Sequence, residues 1–276
     1  MWVGTVSDLM DLEVISRAPT ERARPVPLLF VHGAYSSAAI WEPFFLPYFA
    51  SHGYAAYAMS VRGHGRSGGR ENLKAARLRD YVADVVQVID RLPAPPVLIG
   101  HSLGGLLIQK ILADRALPGA VLMCSAPPHG LLGSSLAAMF TNPLMFFQMS
   151  QLQWMGPSAA TVDSTRRSLF VDGTPDEWIR RVTPPAEPES NEVMVDATFR
   201  DLPPSRGRRD VPVLVLGGGR DACITRTAVE ETARAFGVQP TIFETLPHAL
   251  MLVPEWEEVA GAILQWLETA LPPAAS

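Results

Sequence analysis

The sequence predicts an α/β domain, with a mostly parallel central sheet flanked by helices and one helical insertion. Three observations point there. Short continuous apolar runs end in glycine or polar residues, as strands buried on both faces do. Segments of helical period alternate with these runs, which implies right-handed βαβ units. The alternation stops once, from Pro127 to about Asp210, and then resumes.

Taken in order, "LEVISR" (Leu12 to Arg17) suits an antiparallel strand at a sheet edge. The runs "VPLLFVHG" (Val26 to Gly33), "YAAYAMSVRG" (Tyr54 to Gly63), "PVLIGH" (Pro96 to His101) and "AVLMCSA" (Ala120 to Ala126) read as buried strands. "VPVLVLGGG" (Val211 to Gly219) and "PTIFETL" (Pro240 to Leu246) add two more. Between them, Leu78 to Leu92 sets Leu78, Tyr81, Val82, Val85, Val88 and Ile89 at helical spacing. Leu103 to Leu112, Thr225 to Phe236 and Glu255 to Leu271 are further helices. Inside the interruption, helices are expected around Leu131 to Phe140, Leu144 to Trp154 and Asp176 to Arg181, with the loop "TPPAEPES" (Thr183 to Ser190) following. The expected division is a core of residues 1–126 and 211–276 and a helical insertion of residues 127–210. The closing "LPPAAS" is expected to fray.

A chain of 276 residues suits one large domain carrying such an insertion. It is 47% apolar and 18% charged, with net charge −5. Only Lys74 and Lys110 are lysines, which leaves 21 arginines among the 23 basic residues. The densest basic cluster, "RGRRD" (Arg206 to Asp210), is too short, in an acidic chain, for a nucleic-acid patch and reads as a solvated loop. Cys124 and Cys223 lie far apart and the six histidines are scattered, so no disulfide or thiolate–zinc framework is expected. Cys124, in an apolar run, reads as a small buried hydrophobe. Asp8, Asp11 and Glu13 interrupt what a secretory signal would keep apolar. No run approaches the roughly 18 to 20 apolar residues of a membrane span. A cytoplasmic location without stable membrane insertion is therefore expected.

The stretch "PPVLIGHSLGGLLIQKIL" (Pro95 to Leu112) sets Ser102 in G-x-S-x-G between a strand and a helix. That is the context of a nucleophile elbow, a turn so sharp that the serine's neighbours must be small. The helix after Ser102 directs its N-terminal N–H groups and dipole at any oxyanion forming there. The bland alternative is a glycine-rich turn in which Ser102 caps the helix, so its partners decide. A serine hydroxyl needs a base, itself oriented by an acid. Asp221 follows a strand in "VPVLVLGGGRDACIT", and His248 follows the last strand in "ETLPHALMLVPEW". The order Ser102, Asp221, His248, each just beyond a strand's carboxyl end, is the one this architecture predicts. Asp196, Asp201 and Asp210 are rival acids, but they precede the strand. Of the two N–H donors an oxyanion hole needs, one is Leu103 and the other Ala34 in "LLFVHGAYSS", with Tyr35 as runner-up. His32 is expected to brace that loop.

With "HGAYSS", "SVRGHGRSGG", "GHSLGG", "GGGRD" and "LPHALM" in hand, the chain resembles the α/β-hydrolase superfamily over essentially its whole length. The insertion resembles that family's cap, or lid, in placement. Families on this fold that act on haloalkanes or epoxides carry aspartate where Ser102 stands, which disfavours those reactions.

"GHGRSG" (Gly63 to Gly68) matches a dinucleotide fingerprint but opens no prompt apolar helix, so nucleotide binding is not expected. In the resembling family the segment is a loop near the active site, with His64 and Arg66 structural or at the rim. His129 reads as a loop residue near the cap. "MFTNPLMFFQMSQLQWM" concentrates methionine and aromatic side chains; Met139, Phe140, Phe146, Phe147 and Trp154 are the candidate acyl pocket. The expected activity is hydrolysis of small hydrophobic esters through an acyl-serine, with no metal or organic cofactor. Thioester, lactone, amide or C–C hydrolysis, acyl transfer and perhydrolysis share the machinery. A ligand receptor built on a hydrolase fold is the non-enzymatic alternative.

Overall fold

The computed structural model describes residues 9–20 and 22–271. The expectations for the extreme N-terminus and for all but the first residue of "LPPAAS" lie outside the described residues.

Seven strands form one sheet in the order β1-β3-β2-β4-β5-β6-β7. They are β1 (Val14–Arg17), β2 (Leu28–Val31), β3 (Ala56–Met59), β4 (Val97–His101), β5 (Ala120–Met123), β6 (Val213–Gly218) and β7 (Thr241–Phe243). β1 pairs antiparallel with β3 at the edge, Val14 opposite Met59, and every other pairing is parallel. The core helices are α1 (Phe45–Ser51), α2 (Leu78–Ile89) and α3 (Leu103–Asp114). The segment between β5 and β6 is helical, with α4 (Leu132–Thr141), α5 (Pro143–Met155), α6 (Val162–Leu169), α7 (Asp176–Val182) and α8 (Asn191–Val195), and α8 runs on into a π-turn at Asp196–Arg200. α9 (Arg226–Phe236) and α10 (Trp256–Ala270) complete the chain. Among the described residues no helix is long and apolar enough to cross a membrane.

Successive side chains of a strand face opposite ways, so the sheet buries two separate cores. On one face Leu29, Val31, Leu98 and Leu122 pack with α2, α3 and α9. On the other Leu28, Phe30, Val97, Ile99 and Val121 pack with α1 and α10. β2, β4 and β5 are buried at every position, which is why they read as unbroken apolar runs. β2 has β3 on one side and β4 on the other, so the chain leaves β2 toward α1 and leaves β4 toward α3 on the opposite face. This is the topological switch point of the sheet, and the loops after β2 and β4 part there to leave a crevice.

Two helices have weak sequence signals. Pro47 sits in the first turn of α1, where its missing N–H costs no hydrogen bond. α6 is polar and starts on a Thr161–Ser164 capping box rather than an apolar face.

Phe30 lies under an aromatic cluster, with ring centroids 5.0 Å from Trp41, 5.6 Å from Phe49 and 6.3 Å from Phe45. Phe30→Ala removes a fully buried ring and is expected to cost about 3–5 kcal/mol in urea unfolding. A loss below about 1 kcal/mol would show that this face of the sheet collapses freely around the gap.

Candidate active site

Ser102 stands between β4 and α3 with φ 52° and ψ −115°, a backbone conformation that L-residues rarely adopt. Close packing of main chain forces it. A methyl on Gly104 would sit 2.4 Å from the Val31 carbonyl oxygen and 2.5 Å from that of His32. One on Gly100 would meet Ile108 at 2.5 Å and Gly104 at 2.7 Å, and one on Gly105 would strike Ser125 Oγ at 2.3 Å. α3 can thus lie directly against the end of β2 only because these positions lack side chains. The turn is pinned by Ser102 N–H donating to Met123 O (3.0 Å) and Ala126 N–H donating to Ser102 O (3.1 Å).

His248 and Asp221 come together across the ends of β6 and β7. His248 Nδ1 donates to Asp221 Oδ2 at 2.7 Å, with both side chains almost fully buried. Asp221 Oδ1 accepts the N–H groups of Cys223 and Ile224, each at 2.8 Å, so the acid is held by backbone on one oxygen and by imidazole on the other. With Nδ1 donating, Nε2 of neutral His248 is the free base. His248 and Ser102 line the same cavity. Among the described residues no hydrogen bond joins Ser102 Oγ to His248, a contact that commonly tightens only with substrate present. The rival acids are engaged elsewhere: Asp196 with Arg77 and Arg200, Asp201 with Lys110, and Asp210 with Arg208.

The loop after β2 faces the elbow, and a methyl on Gly33 would be 3.0 Å from Ser102 Cβ. The N–H of Ala34, like that of Leu103, has no hydrogen-bond acceptor among the described residues. Tyr35 N–H instead donates to Glu189 Oε2 over 3.4 Å. His32 braces the loop: Nδ1 donates to Gly33 O (2.8 Å) and Nε2 accepts from Val61 N–H (3.1 Å). Burial, with His64 nearby, pushes the His32 pKa down to about 3, so it stays neutral. His101 donates from Nε2 to His248 O (3.0 Å) and is likewise kept neutral, first by burial and then by His248.

Cys124, Asp221 and His248 offer ligand atoms within 4.8 Å of one another. Their chemistry suits a hydrogen-bonded relay better than a metal. Burial and the Asp221 carboxylate push the Cys124 thiol well up, which keeps it protonated, and both Asp221 oxygens already have donors. Cys223 lines the cavity, with its thiol donating to Ser168 O.

The cavity over Ser102 measures about 650 Å³. Of the five candidate pocket residues, Phe146 lines it and the other four do not. Phe140 and Trp154 are 78% and 80% exposed, and Met139 and Phe147 also face outward. Apolar and polar residues are mixed on every side of α5, so its composition does not say which face turns inward. The helical period presents Met145, Phe146, Met149, Leu152 and Gln153 to the cavity and leaves Leu144, Phe147 and Trp154 outside. His129 pairs with Glu231 at 3.1 Å on the surface, away from the cavity. His64, in contrast to the exposed Arg66, is fully buried.

Residues 28–262 match the family described as the alpha/beta hydrolase family. The non-heme chloroperoxidase of Streptomyces lividans is 28% identical over 82% of this chain and 86% of its own length. Protein phosphatase methylesterase 1 of Bos taurus is 32% identical over 100 residues, 35% of this chain and 26% of that protein. Among solved structures, an esterase from Exiguobacterium antarcticum superposes with TM-score 0.72 at 17% identity, covering 94% of this chain and 96% of the other.

Gly104→Ala drives a methyl into two carbonyl oxygens that cannot move independently of β2. It is expected to destabilise the protein by about 1–3 kcal/mol and to slow fluorophosphonate labelling of Ser102. Gly133→Ala, where a methyl meets nothing within 4 Å, is expected to be neutral or stabilising. Equal urea midpoints for the two variants would contradict this account of the elbow.

Proposed function

The chain belongs to the alpha/beta hydrolase family, and we propose that within it this enzyme is a serine hydrolase of small, uncharged, hydrophobic carboxylic esters. The observation that carries the reading is the 2.7 Å contact of His248 Nδ1 with Asp221 Oδ2, at a cavity that Ser102 also lines. Ser102 Oγ attacks the ester carbonyl while His248 Nε2 takes its proton. Asp221 keeps the imidazole in the Nδ1–H tautomer and stabilises the imidazolium. The N–H groups of Ala34 and Leu103 stabilise the tetrahedral oxyanion. Ala34 is preferred to Tyr35 as donor because the Tyr35 N–H is already taken by Glu189. His248 then protonates the departing alkoxide, and water attacks acyl-Ser102 with His248 again as base. Residues 127–210 act as the cap, whose apolar inner side chains receive the acyl or alkyl group.

Similarity to the Streptomyces lividans non-heme chloroperoxidase favours a second reading on the same acyl-serine. Hydrogen peroxide in place of water would release a peracid, and the peracid, not a metal, would oxidise halide.

Hydrolysis of p-nitrophenyl esters from acetate to palmitate is expected to peak at short chains and to vanish in Ser102→Ala. Asp221→Asn should lower kcat by about 10³–10⁴ with little change in KM, while Asp201→Asn should not. Retained turnover in Ser102→Ala would reject the mechanism. Peroxide-dependent bromination in acetate buffer, lost in Ser102→Ala, would establish the second reading.

A further inference from the structure

Glu189 is a buried carboxylate that the mechanism above leaves unused. It lies in the cap loop between α7 and α8, with a side chain only 1% exposed. Its Oε1 accepts from Tyr81 Oη–H (2.6 Å) and from Ser190 N–H (2.8 Å). Its Oε2 accepts from Tyr35 N–H and lies 3.4 Å from His64 Nε2. His64 is fully buried, and its Nδ1 sits 3.0 Å from Arg62 O. A carbonyl only accepts, so Nδ1 carries a proton. A second proton on Nε2 makes His64 a cation facing the carboxylate; without it, lone pairs would oppose each other. The contact is coulombic, since no aligned hydrogen bond forms at Nε2. Burial opposes charge on both groups. The attraction between them nonetheless prevails, holding His64 above and Glu189 below their ordinary values.

This pair is spent on one residue of the core. Tyr35 has φ 58°, a left-handed conformation that costs of order 1–3 kcal/mol in a side-chain-bearing residue. The cap loop occupies both sides of it: Glu187 N–H donates to Tyr35 O at 2.9 Å, and Glu189 accepts Tyr35 N–H. The Tyr35 hydroxyl reaches Gln153 on α5. Ala34 is therefore bracketed, by the His32 brace before it and the cap clasp after it.

We propose that Glu189, neutralised by His64, is a positioning residue that fixes the Tyr35 peptide and so holds the Ala34 N–H toward the oxyanion. The inference rests on Ala34 serving as an oxyanion donor. It makes the cap part of the catalytic geometry as well as a wall of the pocket. Glu189→Gln keeps an oxygen for Tyr81 but turns an NH₂ toward the Tyr35 N–H donor and removes the charge that faces His64. His64→Gln keeps Glu189 but removes its countercharge, leaving an uncompensated buried anion against the Tyr35 N–H.

The test measures kcat and KM on a short-chain p-nitrophenyl ester, the rate of Ser102 phosphonylation by a fluorophosphonate, and Tm, for wild type and both variants. In Glu189→Gln, kcat and phosphonylation should fall together by about 10- to 100-fold, less than the ~10²–10³ lost when a donor is removed outright. KM should stay within about twofold. His64→Gln should show the same split more weakly, and it carries the test if Glu189→Gln does not fold. Unchanged kcat and phosphonylation with a lower Tm, or a change confined to KM, would reduce Glu189 to a tether for the cap. A wild type that is phosphonylated yet hydrolyses no ester defeats the esterase reading and leaves the phosphonylation comparison to decide on Glu189. A wild type that does neither overturns both.

Discussion

The close approach of α3 to the end of β2 is the constraint on which the site depends. Helices normally cover a sheet at side-chain distance, but here the Gly104 main chain lies against the Val31 and His32 carbonyl groups. The chain can make that approach only by turning sharply at Ser102, which explains its positive φ. The same approach brings the loop after β2 against the elbow, with Gly33 facing Ser102. The donors the proposed mechanism uses are therefore main-chain N–H groups, of Ala34 after β2 and of Leu103 at the start of α3, neither with an acceptor among the described residues. Preorganised main-chain donors of this kind need no reorganisation as charge develops.

Asp221 and His248 are fixed by a different device. Asp221 lies past Gly217 and Gly218, which end β6, and Gly219 just beyond, with two backbone N–H groups holding one oxygen and His248 holding the other. A methyl on Gly218 or Gly219 would strike carbonyl groups of the strand-to-histidine connection at 2.4 Å, so the two loops lie in main-chain contact. Buried polar groups paired in this way are rigid because each alternative leaves a donor or acceptor unsatisfied.

The helical segment between β5 and β6 touches all three loops of the site. It meets the loop after β2 through Glu187, Glu189 and Gln153, the Asp221 loop through Ser168 O and the Cys223 thiol, and the His248 loop through Leu169 O and Ala249 N–H. Its outer side is another matter. No Asp, Glu, Lys or Arg occurs between Gly130 and Val162, and Leu132, Leu136, Phe140, Leu144, Phe147 and Trp154 are exposed there. The inner faces of the same helices form the wall of the cavity. On α4 and α5 small and polar residues share the cavity side and several large apolar ones face out, contrary to the usual amphipathic pattern, which is why the sequence-based pocket misplaces Met139, Phe140, Phe147 and Trp154.

The sequence by itself determined whatever is written locally. Unbroken apolar runs mark β2, β4 and β5 because both faces of those strands are covered. Glycines mark the elbow because only they permit the main-chain contacts, and Ser102, Asp221 and His248 are legible because each follows a strand end. Tertiary structure decided what depends on residues distant in the chain. Nothing in "TPPAEPES" distinguishes Glu189 from a solvated loop acid until His64, Tyr81 and Tyr35 surround it. Which N–H of the loop after β2 stays free follows from that encounter, as does the inward face of α5 from its packing over the cavity. Burial and charge compensation are properties of neighbours, and periodicity reports only on residues within a few turns of one another.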